Sequence, residues 1–260
     1  MRGTTCLVAV AVLLLVPGLA LAQTSELYLT TCERLEAYVV QDGEIVRQFN
    51  RVHQFDGPAL VVQDSIKMLG QFGGQVGHEY DLFGNLLGGE YPNPGWTDCY
   101  DGATDGVRNW TIAHNHFDDF PLLVSDADWG GLRVAFVPQR RSSGVTYDMS
   151  SDTLWITNCI GNSDRVQQYD LEGNLLSEFA VSIPGGYGIA WDPADDTLWI
   201  PASWGGNHLF QYDKQGNFLQ EVNVPGLSDR VLGAEFLIPE PTSAALLLVC
   251  LGGLVLRRRT

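Results

Sequence analysis

Basic residues are scarce in this chain. Across 260 amino acids, 15 Lys and Arg stand against 31 Asp and Glu, a formal net charge of −16. Nucleic acid and anionic membrane surfaces both need a basic face, so neither is expected as a partner of the folded body. Cysteine is sparse as well, with 5 in all and none at CxxC spacing, which argues against a zinc knuckle. Cys6 and Cys250 fall in the two ends of the chain. Cys32, Cys99 and Cys159 allow at most one internal disulfide in an oxidising compartment, and the sequence does not select the pair. There is no GxSxG elbow, no nucleotide-binding loop and no paired-carboxylate signature. The stretch FGGQVGHEYD (72–81) has the glycines of a phosphate loop but opens no helix. No apolar run reaches the ~20 residues of a comfortable membrane-spanning helix.

The ends carry what apolar runs there are. Residues 1–22 combine Arg2, the run LVAVAVLLLV, Pro17 and Ala20-Leu21-Ala22, the small-x-small pattern that a signal peptidase accepts, so a cleaved export signal is expected. The other end reads IPEPTSAALLLVCLGGLVLRRRT. It sets Pro239, Glu240 and Pro241 before an apolar segment from about Ala244 to Leu256, and closes on Arg257, Arg258 and Arg259. Arginines behind a short apolar helix hold that end on the cytoplasmic side. With these parts in this order, residues 239–260 resemble the PEP-CTERM sorting signal. The resemblance implies recognition by an exosortase-type processing enzyme, transient holding of the precursor in the inner membrane, and a mature form at the cell surface or outside it. It also implies an exopolysaccharide setting. The body, residues 23–238, keeps 11 basic and 30 acidic residues and is long enough for one domain with a substantial core.

Within the body one phrase recurs: YDLFGNLL at 80–87, YDLEGNLL at 169–176 and YDKQGNFL at 212–219. Longer segments align around it. GVTYDMSSDTLWITN begins at Gly144 and GIAWDPADDTLWIPA at Gly188, 44 residues later. Each such unit reads as four short strands, the phrase being the turn between the third and fourth. Its Asp accepts backbone hydrogen bonds and its Gly takes a positive φ. DxxGN lacks the alternating ligands and closing Glu of a calcium loop, so a plain turn is expected. Four antiparallel strands in about 44 residues are the pattern of a β-propeller blade. Second strands fall at 26–30, 65–69, 109–113, 153–157 and 197–201, which makes five blades, with six as the alternative if residues 88–143 hide another. LGAEFL (232–237) supplies the first strand that the amino-terminal blade lacks, so the ring is expected to close by pairing the two ends of the body. The body resembles NHL-like and quinoprotein-like propellers, a resemblance that implies architecture alone.

Candidate chemistry is thin. His114, His116 and Asp118 alternate at the end of a strand, a donor set suited to a divalent transition metal. SDADWGG (125–131) reads as a drifted copy of the turn, and Asp126 and Asp128 are calcium candidates in it. Trp110, Trp155 and Trp199 sit in second strands and are read as core, whereas Trp96, Trp129 and Trp204 lie near glycines in loops and are the candidate ligand-facing rings. The expected function is that of a non-catalytic binding or scaffold propeller contacting extracellular polysaccharide or surface proteins. The alternative is a metal-dependent hydrolase, lactonase-like or acting on polysaccharide. No cofactor is expected beyond a divalent cation.

Overall fold

The computed structural model describes residues 25–237 apart from 32–33, 54–55, 97, 115–119, 159–164, 184, 203–205 and 228–229. The two end segments, the sorting motif residues Pro239, Glu240, Pro241 and Arg257–Arg259 among them, lie outside the described residues. Twenty strands and no helix occur among the described residues, arranged as five four-stranded antiparallel sheets. This is a five-bladed β-propeller; residues 88–143 hold the outer edge of one blade and all of the next, so there is no sixth.

The first blade is composite. Strands β1 (Leu27–Thr31), β2 (Glu36–Gln41) and β3 (Glu44–Asn50) are completed by β20 (Val231–Phe236) from the far end of the chain. The pairing of Leu27 with Phe236 and of Thr30 with Gly233 closes the ring as the sequence predicts. Each remaining blade is a meander. The innermost strands are β4 (Asp56–Val62), β8 (Cys99–Thr104), β12 (Gly144–Asp148) and β16 (Ala190–Asp192). The outermost are β7 (Leu86–Pro92), β11 (Arg133–Phe136), β15 (Leu175–Ala180) and β19 (Phe218–Asn223). Second strands such as TLWITN are buried along their whole length, because a blade covers both of their faces. Outermost strands are largely exposed.

The repeated phrase is a joint between blades. Asp170 Oδ1 accepts the N–H groups of Glu172 (3.1 Å) and Asn174 (2.7 Å), while Oδ2 accepts Asn174 Nδ2 (2.7 Å). Asp81 and Asp213 repeat the arrangement, so these carboxylates are turn caps with their lone pairs occupied. Hydrogen bonds from the Asn side chain and the turn's N–H groups hold all three below the usual carboxylate range. Gly173 has φ +88°, and a Cβ there would lie 2.6 Å from the ring of Phe136, on the outermost strand of the preceding blade. The same ring packs on the phrase's tyrosine, Phe136 to Tyr169 at 5.2 Å. Gly84 sits likewise over Phe49, which packs on Tyr80, and Gly216 over Phe179, which packs on Tyr212. Glycine is thus required twice, for its φ and for the space.

Replacing Gly173 by Ala is expected to destabilise more than replacing Gly88, which has φ +96° but open space around it. Both changes carry a left-handed backbone term of about 1–2 kcal/mol. Only the first adds overpacking against Phe136, about 1–3 kcal/mol. Urea denaturation of the two variants separates the terms.

Candidate functional site

Three places could host chemistry: the axis, the mouth formed by the loops entering the innermost strands, and the seams between blades.

The axis is used for structure. Asp101, on β8, is fully buried, and its carboxylate ties together the innermost strands of other blades. Oδ2 accepts the N–H groups of Val145 (3.1 Å) and Ile189 (2.8 Å), and Oδ1 that of Ala234 (2.8 Å). Blade two joins the same centre by close approach. Thr30 Oγ1 donates to Pro58 O at 3.0 Å, and a Cβ on Gly233 would lie 1.9 Å from that oxygen. Glu235 shares the interior, hydrogen-bonded to Thr146, with Oε2 unpartnered among the described residues. Burial pushes both carboxyls up; backbone N–H groups oppose this at Asp101, whereas the neighbouring Asp101 charge adds to it at Glu235. A cation on the axis would need lone pairs that N–H donors already hold at Asp101, so this donor set does not fit a metal.

At the mouth, His114 Nδ1 lies 3.6 Å from Asp98 Oδ2. The imidazole stacks on Phe120 (4.6 Å between centroids) and on Tyr100 (6.2 Å), and Tyr100 in turn meets Tyr187 at 5.8 Å. Arg141 reaches over Phe120. An imidazole beside a carboxylate can hold or pass a proton. His116 and Asp118, the expected companion ligands, lie outside the described residues, and among the described residues no three His, Cys, Asp or Glu converge. Asp98 was not legible as the partner of His114, because it enters from the loop before the blade and sits 16 residues away.

The seam between blades five and one holds a cavity of about 410 Å³. Its walls come from β1, β2 and β20 on one side and from β16, β17 (Thr197–Pro201), β18 (His208–Tyr212) and β19 on the other. Register explains why it is open. In the seam between blades four and five, Phe179 and Tyr212 fill the joint. By pairing, Val222 stands where Phe179 does, and Val40 where Tyr212 does. The turn closing over the joint is also shorter, Asp42-Gly43 in place of Asp213–Asn217. The cavity is the volume left by these substitutions. It is lined by Trp199, Phe236 and Gln211, and by the carboxylates Asp42, Asp192 and Asp195, with no Lys or Arg among the described lining residues. Ser25 Oγ and the Ala194 N–H both donate to Asp192 Oδ1, at 2.6 and 2.9 Å. Burial lifts the Asp192 carboxyl above the usual range, against those two hydrogen bonds and helped by the charge of Asp195.

Two expectations need correcting. Trp129 faces no ligand: at 4 % exposure it is packed in the seam between blades two and three beside Tyr91 and Leu69. Its turn is a true copy of the phrase, since Asp126 Oδ1 accepts the N–H groups of Asp128 and Gly130, and Asp128 pairs with Lys67 rather than awaiting calcium. Trp199, expected in the core, lines the seam cavity instead. Trp110 and Trp155 are in the core as expected and in step, each paired with the residue two before its turn acid, Val124 before Asp126 and Gln168 before Asp170. Trp96 is half-buried against the same cluster as Trp129, and Trp204 lies outside the described residues.

No protein-family model and no curated protein matches the chain. Solved structures do. A gluconolactonase of Xanthomonas campestris superposes with a TM-score of 0.51 at 12% identity, covering 83% of this chain and 83% of that one. A calcium-binding regucalcin of Agrobacterium tumefaciens gives 0.48 at 15% identity over 75% of this chain and 69% of that one. Likeness at this level is likeness of fold.

The buried Glu235 gives a pH signature. A carboxyl whose folded pKa is raised contributes stability fully present below its unfolded value near 4.5, and that contribution is lost as pH rises toward the folded value. Glu235→Gln removes the loss. Its unfolding free energy, read by urea denaturation, is expected to exceed that of the parent at pH 8, the difference narrowing toward pH 4.5 by up to about 1.4 kcal/mol per pH unit.

Proposed function

We propose that the chain is an exported β-propeller that works by binding, as a surface-displayed or matrix-released receptor or scaffold, with the seam cavity as its ligand site. The observation carrying this reading is the carboxylate of Asp101. A propeller enzyme gathers acids and imidazoles from several blades around one channel. Here the axial acid instead holds the innermost strands of three other blades through their backbone N–H groups. The recess suited to a ligand lies off the axis, where Trp199 and Phe236 offer apolar faces beside the carboxylates of Asp42, Asp192 and Asp195. Export rests on the signal-like residues 1–22, and delivery to the surface on the sorting-signal resemblance of residues 239–260, which calls for an exosortase-type enzyme and an extracellular, polysaccharide-rich setting.

The competing reading is a lactone hydrolase, the activity of the Xanthomonas campestris neighbour. Purified protein incubated with gluconolactone, with and without added calcium or zinc, is expected to show only the spontaneous rate. Metal-dependent turnover that disappears in a His114→Ala variant would replace binding by catalysis.

A further inference from the structure

The seam between blades four and five shows what fills a closed joint of this kind. Besides the rings of Phe179 and Tyr212, it contains the ammonium of Lys214, from the turn of blade five. Nζ lies 2.6 Å from Asp148 Oδ2 and 2.9 Å from Ser150 Oγ, pairs with Asp196, and sits 5.4 Å from the centre of the Trp191 ring. That ion pair, with the hydroxyls of Ser151 and Ser150, outweighs burial and brings the Asp148 carboxyl below its usual range.

The open seam keeps the buried acid and one aromatic face of this arrangement, while Ala194 stands for Ser150 and Ser25 for Asp196. Asp192 pairs with Thr197 as Asp148 pairs with Thr153, so the two acids are equivalent. Phe236 pairs with Leu27 as Trp191 pairs with Leu198, so an aromatic face is retained. What is missing is one ammonium and two aromatic rings, and the chain's shorter turn brings Asp42 where the neighbouring turn brings a lysine. Trp155 Nε1 donates to Asp148 at 3.3 Å, but Trp199 Nε1 has no acceptor among the described residues. Among the described residues, the donors to Asp192 are both on Oδ1.

From this complementarity we infer that the seam cavity takes a primary arylalkylamine, its ammonium at Asp192 and Asp195 and its ring between Trp199 and Phe236. The inference rests on the seam cavity being the ligand site and names the class of ligand. The ring restores the apolar contact that Val40 and Val222 leave out. The ammonium supplies an opposite charge to Asp192, which is buried and receives only neutral donors among the described residues. At about 410 Å³ the cavity admits a single ring with a two- or three-carbon amine arm, a molecule at the small end of what such sites hold.

Tyramine tests the inference, with 4-ethylphenol as the same ring without the ammonium. Calorimetry on the full chain, supported by tryptophan fluorescence from Trp199, is expected to show one tyramine per chain and binding of 4-ethylphenol weaker by about tenfold or more. Asp192→Asn keeps an oxygen for Ser25 and Ala194 and is expected to erase the preference for the amine. Val222→Phe rebuilds the filled joint and is expected to abolish binding without lowering the melting temperature, which checks that this variant folds. Equal affinity for the amine and the phenol overturns the amine while leaving the cavity as a binding site. Tyramine affinity undiminished in both variants overturns the location. Failure of both probes overturns the inference and the ligand site together.

Discussion

Three joints between blades are held by one aromatic ring lodged beneath a glycine, Phe49 under Gly84, Phe136 under Gly173 and Phe179 under Gly216. The phenylalanine comes from the exposed edge of one sheet, and the tyrosine and glycine from the hairpin of the sheet that follows. The contact is made at the rim, where wedges would otherwise splay, while the hydrogen bonds to Asp101 gather the same wedges at the hub. Rim and hub solve different problems. Ring packing is non-directional and sets spacing, whereas a carboxylate receiving several N–H groups fixes the radial position of each innermost strand. One joint lacks its ring, and the cavity follows from that omission.

Much of this architecture is legible in the residues. The period of the second strands, the hairpin phrase and the orphan strand at the end of the body specify blade number, strand order and closure, because each is local and each is repeated. The seam cavity was equally written there and went unread: VVQDGE at 39–44 drops both the tyrosine and the long turn, and Val222 drops the phenylalanine. Seeing it required knowing that the phrase touches the preceding blade, which spacing alone does not reveal. The burial of Trp129 was missed for a related reason. The glycines beside it suggest an exposed loop, but Trp129 itself takes the positive-φ position that Gly173 holds in its turn and packs into the seam.

Asp101 and Glu235 stand outside any repeat, and nothing in their local sequence distinguishes them from surface acids. Their roles arise from position at the centre of a ring, where strands remote in sequence converge. The Asp98–His114 contact has the same origin, two loops meeting at the mouth. Such convergence is invisible to periodicity because it is a property of the closed circle rather than of any blade.

The composite first blade also sets the orientation of the whole body. Leu27 lies opposite Phe236, and the Leu237 N–H donates to Glu26 O at 3.1 Å, so the chain enters and leaves side by side on the face that carries the hairpin turns. Because β20 is the innermost strand of its blade, those ends meet beside the axis and not at the rim. The seam cavity, with Asp42 and Gly43 of a hairpin turn in its lining, lies toward that same face, and the His114 mouth opens on the other. A force drawing the two ends apart would open the ladder from its Leu27–Phe236 pair, so the strand that closes the circle is also the first to yield.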